Sequence, residues 1–166
     1  RELKRCLDWL VRQKDQRFNV IVSNNDISTD LSKLKDDFLV LSLTVVNPGS
    51  KIGSIPNFNY GVSRVSTSYV TMISDDDFLY PTYVSTFYSE FKMRPNMAFY
   101  GQRCVLFDQN GKFLAENFCL IPGVNGGGSA CNLMLNEKLP NTWSAYAFDM
   151  KIFRAMGGVP TDVGPY

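Results

Sequence analysis

The chain contains no histidine. Every Ser-His or Cys-His nucleophile pair is therefore excluded, along with the commonest general base, and acid–base work falls to a carboxylate, lysine, tyrosine or cysteine. Cysteine is scarce too. Cys6, Cys104, Cys119 and Cys131 lie far apart with no CxxC pair, which argues against structural zinc and suits free thiols in a reducing compartment. Neither sign of charge is in excess: 17 Lys and Arg against 16 Asp and Glu leave a net charge of +1. No broad basic surface for nucleic acid follows from that balance, so an anionic ligand must be held locally. No apolar run approaches the roughly 20 residues of a membrane span, and the charged start Arg1-Glu2-Leu3-Lys4-Arg5 leads into no secretion-signal core. The chain reads as cytoplasmic, with the inner face of a membrane as one place for it. It begins without methionine and reads as a fragment.

Two phosphate-binding signatures are also missing. The glycines at 123, 126, 127 and 128 have neither the GxGxxG spacing nor a clear strand before them, and no GxxxxGK followed by Ser or Thr exists. The stretch Pro122 to Ser129 reads as a flexible loop.

What is present is an acidic triplet at the end of an apolar run, Tyr69-Val70-Thr71-Met72-Ile73-Ser74-Asp75-Asp76-Asp77-Phe78-Leu79-Tyr80-Pro81. At ~4 Å two carboxylates repel by about 1 kcal/mol in water and about 4 kcal/mol at the effective dielectric near a protein surface. A hard divalent cation with oxygen ligands would relieve that repulsion. In an extended segment Asp75 and Asp77 share one side and Asp76 takes the other, so a pair is able to face a metal. Aspartate runs also make turns and helix caps, and Pro81 before Thr82-Tyr83-Val84 resembles the first turn of a helix. Both readings stand open on the tripeptide alone.

The 166 residues, 45% of them hydrophobic, suit one domain with a real core. Leu3, Leu7, Leu10 and Val11 make an amphipathic helix over residues 2–14. Strands are predicted over 18–22, ending in Ser23-Asn24-Asn25-Asp26, over 38–46, ending in Asn47-Pro48-Gly49, and over 69–73. Helices are predicted over 56–65 and 82–93. Alternating strands and helices argue for an α/β sheet, largely parallel, with ligands beyond the carboxyl ends of its strands. After residue 98 come short strands at 98–100 and 104–107, a hairpin turn at Asp108-Gln109-Asn110-Gly111, and a helical or irregular segment ending at Gly157-Gly158.

In order and spacing these pieces resemble the family 2 nucleotide-sugar glycosyltransferases of GT-A fold. That resemblance implies a Rossmann-like, mostly parallel sheet flanked by helices, with residues 1–101 as the nucleotide-binding part and 102–166 as a less regular acceptor side of a single domain. It makes the triplet the family's DxD motif: Asp77, four residues before Pro81, matches the position that holds Mn²⁺ or Mg²⁺, with Asp75 beside it, while Asp75 and Asp76 match positions near the ribose and diphosphate. Asn24-Asn25 falls where the family usually carries Asp-Asp or Asp-Asn at the base-reading strand tip, and Lys51-Ile52-Gly53 falls where it carries Asn-x-Gly. Asn24, Asn25, Lys51 and Gly53 are thus the further nucleotide-binding candidates. Gly101 and Gly157-Gly158 match landmarks as well. The family's catalytic base follows the Gly-Gly by several residues, which puts it beyond residue 166, with Asp162 as the candidate inside the chain. The domain reads as truncated at both ends. The implied activity is metal-dependent, inverting transfer of a sugar from a nucleotide-diphosphate donor, a UDP-sugar for choice, to a glycan, lipid-linked or other hydroxyl acceptor. Trp143, Tyr146 and Phe148 are either acceptor-side aromatics or core. Two alternatives remain: a metal-dependent phosphohydrolase using Asp75 and Asp77, although Phe78-Leu79 does not supply the Thr or Val that haloacid-dehalogenase-type enzymes place after the pair, and a non-catalytic sugar- or cation-binding module.

Overall fold

The computed structural model of the protein describes residues 1–117, 123, 126–129, 132 and 142–161. Helix α1, Glu2–Val11, buries Cys6, Leu7 and Leu10 along one stripe and stops before Gln13, whose N–H returns to the Leu10 carbonyl at 3.1 Å. Strand β1, Val20–Ser23, pairs in parallel with β2, Leu43–Val46, in the register Val20↔Leu43 to Ser23↔Val46. Between them lies a single helical turn, α2, Leu34–Asp37, followed by Phe38 and Leu41, which turn inward while Leu39 and Val40 stay exposed. The strand expected over 38–46 is thus shortened, because its first half is spent folding the chain back onto α1. Leu7, Leu10, Leu34, Phe38, Leu41, Leu43, Leu79, Tyr83 and Val84 make one core.

Helix α3, Ser54–Val62, crosses β1 closely: a Cβ added to Gly61 would lie 3.2 Å from the Ser23 Cβ. Asn57 ties the two elements, accepting from Ser23 Oγ at 2.8 Å and donating to the Ser23 carbonyl at 3.3 Å. Strand β3, Tyr69–Thr71, is followed by α4, Tyr83–Met93, and then β4, Phe99–Gly101. Strands β5, Cys104–Phe107, and β6, Phe113–Asn117, form the expected hairpin around Gly111 at φ +78°.

The C-terminal part holds a strand that periodicity does not announce. Strand β7, Tyr146–Asp149, enters between β3 and β4 and pairs antiparallel with both, giving the order β3-β7-β4. Strands β3 and β4 thus run the same way, joined by α4 as a strand-helix-strand crossover should be, but β7 occupies the slot that direct parallel pairing would use. The described sheets consequently combine one parallel pair with antiparallel pairings within the α/β class. Helix α5, Met150–Ala155, starts on the Asp149 side chain, which accepts from the Ile152 N–H at 2.9 Å. It closes a second core of Val62, Met72, Met150, Phe153 and Val159. Tyr146 is buried and Phe148 half-buried in the packing of this sheet; Trp143 is exposed and stacks on Phe58 at 6.2 Å between centroids. Among the described residues no helix is long and apolar enough to cross a membrane.

Candidate functional site

Strand β3 ends at Thr71, and buried Met72 carries the chain to the acidic triplet. The triplet is not extended. The Asp77 N–H donates to the Ser74 carbonyl at 3.2 Å, so Asp75 and Asp76 are the corner residues of a four-residue turn. The even-odd alternation expected of the three side chains is replaced by two exposed corner carboxylates and a half-buried Asp77. Aspartate favours such corners because its side chain bonds nearby backbone. Turn and ligand site, open alternatives in the sequence, are therefore not exclusive. The capping alternative fails: α4 begins after Thr82 with no side-chain cap.

The turn is fixed from behind. Phe78 stacks on Trp9 of α1 at 4.8 Å. Gln13 lies buried and donates through Nε2 to the carbonyls of Leu79 at 3.1 Å and Tyr80 at 2.8 Å, while its Oε1 accepts from the Val84 N–H at 3.2 Å. From the turn that leads into the neighbouring strand β7, Ser144 Oγ donates to Asp77 Oδ2 at 2.8 Å. Ser144 sits in a 3-10 turn, Trp143–Ala145, leading into β7.

No cation neutralises the triplet among the described residues, whose ion pairs are Lys4–Asp37, Arg5–Glu2, Arg17–Asp15, Arg94–Glu90 and Arg103–Glu116. Its field is felt by nearby thiols. Burial, and then Asp77, Asp75 and Asp76, push the Cys6 thiol up to about 11; burial followed by Asp77 raises Cys104. Both cysteines are free and stay protonated at neutral pH, which removes them as thiolate nucleophiles. Among the described residues no group of three or more His, Cys, Asp or Glu side chains is placed to hold a metal ion. Magnesium and manganese need fewer, since one or two carboxylates suffice where phosphate oxygens of a substrate complete the shell. Asp77, with Oδ1 unbonded among the described residues, and the exposed Asp75 fit that kind of donor set.

The other candidates are distributed differently. Asn24 lines a cleft of about 530 Å³ at the carboxyl ends of β1 and β2, with Ser28, Thr29, Asp30, Lys35 and Asn47. Its amide is spent on the loop: Nδ2 donates to the Thr29 carbonyl at 3.0 Å and Oδ1 accepts from the Asp26 N–H at 3.1 Å. Asn25 clips both backbone groups of Ile52, donating at 2.7 Å and accepting at 2.9 Å. Both amides shape the loop walls. Asp26 is held at a pKa of about 2, chiefly by the hydroxyls of Ser28 and Thr29 and lastly by the charge of exposed Lys51. Gly53 caps α3 at φ −62°, a conformation open to any residue, and a Cβ there would make ordinary contact with Pro56 at 3.4 Å. Asp77 lines a separate cleft of about 90 Å³ with Tyr80, Gln102, Arg103, Cys104 and Ser144. Asp162 lies outside the described residues.

Ser144, Thr142, Gln13 and Arg103 are the residues that sequence reasoning missed. A serine 67 positions from its aspartate carries no local signal. A glutamine in the polar break after an amphipathic helix looks solvated.

Among solved structures, residues 1–349 of S. aureus TarS share the fold with a TM-score of 0.69 at 14% identity, over 99% of this chain and 48% of that one. The same protein in complex with UDP-GlcNAc gives 0.65 at 12% identity, over 93% of this chain and 43% of that one. The chain spans about half the length of these structures. Curated protein sequences give no match. The profile of glycosyl transferase family 2 matches residues 1–157, and together with the α/β GT-A architecture this shows that the chain belongs to that family.

Proposed function

We propose that this chain is the donor-binding part of a glycosyltransferase that moves a sugar from a nucleoside-diphosphate sugar to an acceptor hydroxyl. One observation carries the reading: a half-buried carboxylate, Asp77, held on one oxygen by Ser144 and neutralised by no side chain among the described residues, at the tip of β3 where an α/β fold places its ligands. Family membership and the UDP-GlcNAc complex of the structural neighbour support a nucleotide-sugar donor, with UDP favoured.

In this reading Asp77, with Asp75, would hold Mn²⁺ or Mg²⁺, Asp76 would lie near the ribose and diphosphate, and Asn24 and Asn25 shape the loop that would receive the base, with Lys51 and Gly53 at its edge. A cation held there would supply positive charge against the diphosphate leaving group without a proton transfer. The acceptor oxygen forms a bond to the anomeric carbon as the bond to the diphosphate oxygen breaks on the opposite face, which inverts the configuration. The acceptor's proton passes to a carboxylate, for which Asp162 is the candidate within this sequence and a position further along is the family's usual one. Arg103, lining the Asp77 cleft, is free to turn its guanidinium toward a phosphate when it exchanges Glu116 for it.

Thermal melting with UDP or GDP, with and without Mn²⁺, tests this. UDP with Mn²⁺ at ~100 times the dissociation constant adds about 2.7 kcal/mol, which for a chain of this size raises the melting temperature by roughly 5–10 °C. EDTA and Asp77→Asn both abolish the Mn²⁺-dependent part. A folded wild-type protein whose melt ignores both nucleotides would overturn the reading and bring back a phosphohydrolase or binding module.

A further inference from the structure

We infer that Ser144 is a positioning residue that aims the metal-binding carboxylate, an inference that rests on the donor-site reading of Asp77. Ser144 is buried, 8% exposed, and its Oγ lies 2.8 Å from Asp77 Oδ2. Thr142 Oγ1 lies 3.1 Å from the same Ser144 oxygen. The direction of these bonds follows from proton counting. An ionised carboxylate only accepts, so the single hydroxyl proton of Ser144 goes to Asp77, and Thr142 must then be the donor to Ser144. The result is a relay from Thr142 to Ser144 to Asp77 Oδ2, ending on one carboxylate oxygen and leaving Oδ1 without a partner among the described residues.

The relay has a rigid base. The Ala145 N–H bonds the Thr142 carbonyl at 3.2 Å, and the Gln102 N–H bonds the Ala145 carbonyl at 2.9 Å, pinning the 3-10 turn to the end of β4 just before it becomes β7. Ser144 therefore moves with the central sheet and not with a loop. A hydroxyl so held fixes the rotation of the Asp77 carboxylate and leaves Oδ1 as the oxygen open to a cation, as outer hydrogen-bond partners do for metal-ligating groups generally. It also makes cation affinity depend on how residues 142–145 seat against β3.

The test is a Mn²⁺ titration of the UDP-induced rise in melting temperature, repeated by calorimetry, for the wild type, S144A and T142V. Outer-shell partners are worth 10–100-fold in metal affinity. S144A is accordingly expected to need roughly 10-fold more Mn²⁺ for the half-maximal effect, with UDP binding in EDTA and the ligand-free melt close to wild type. T142V keeps the shape of threonine and removes only the feeding hydroxyl, so it shifts the titration the same way by less. A wild-type Mn²⁺ requirement in S144A overturns the inference, as does an equal loss of metal-free UDP binding, which would mark a merely structural serine. If S144A does not fold, an unshifted T142V overturns it alone. A wild-type protein with no Mn²⁺-dependent response to UDP sinks the donor-site reading and this inference together, whereas a responsive wild type with an unshifted S144A sinks this one only.

Discussion

Gln13 shows how one side chain can govern a site it does not touch. It is 4% exposed and satisfies two carbonyls and one N–H of the segment that follows the acidic turn. A buried amide is retained where its removal leaves backbone groups dry and unpaired, at a cost of about 1–3 kcal/mol. Gln13→Ala is therefore expected to lower the melting temperature by roughly 2–10 °C and to weaken Mn²⁺-dependent UDP binding as well, since Leu79 and Tyr80 lose the anchor that sets where Asp77 stands. Melting curves with and without ligand separate the two effects. A variant as stable as wild type would show that water takes over the role of the amide.

At the scale of elements, the packing of β4 on β7 turns on Gly101. In the antiparallel register Gly101 faces Tyr146, and a Cβ there would lie 2.7 Å from the ring edge. The ring is buried and packed against Phe99 and Phe148. Gly101→Ala is expected to cost about 1–3 kcal/mol as an overpacked site, read as a lower midpoint in urea with an unchanged slope; a neutral outcome would mean the ring swings aside. Glycine here is required for space and not for its backbone angles.

The same elements show what a sequence discloses. Helices α1, α3 and α4 were legible because apolar residues recur at helical spacing, and the β5–β6 hairpin because Asp108 to Gly111 is turn chemistry. The GT-A order was legible because it is a pattern of many weak signals. Strand β7 was not: Tyr146-Ala147-Phe148-Asp149 is four residues long with no alternation between faces, since both faces of a central strand are covered. The acidic turn was found by its charge, but its shape was not, because one hydrogen bond from Asp77 to Ser74 decides it. Asn24 and Asn25 were legible as loop-tip residues, while their bonds to Thr29 and Ile52 depend on where distant backbone comes to rest.

Across the whole molecule, Asn59 joins parts of the chain 100 residues apart. Its Nδ2 donates to the Val159 carbonyl at 2.8 Å and its Oδ1 accepts from the Val159 N–H at 2.9 Å. Gly158 at φ +84° makes room for this, since a Cβ there would lie 2.8 Å from Asn59 Oδ1. The clip holds the turn after α5 onto α3 and closes the second core beside Val62 and Phe153. Asn59→Ala is expected to lower stability by about 1–3 kcal/mol and to speed amide hydrogen exchange in Met150–Ala155 ahead of Glu2–Val11, because α5 lies nearest the lost bonds. Uniform loss of protection across the chain would show the two cores to be a single cooperative unit.

The late position of β7 bears on biogenesis. A ribosome releases Tyr69–Thr71 and Phe99–Gly101 long before Tyr146–Asp149 leaves the exit tunnel, so the nascent polypeptide carries two open β edges with no mate through about 45 further rounds of elongation. Sheet closure, and with it delivery of Ser144 to Asp77, is thus post-tunnel chemistry, and recombinant yield should depend on holdase chaperones that shield those edges in the meantime.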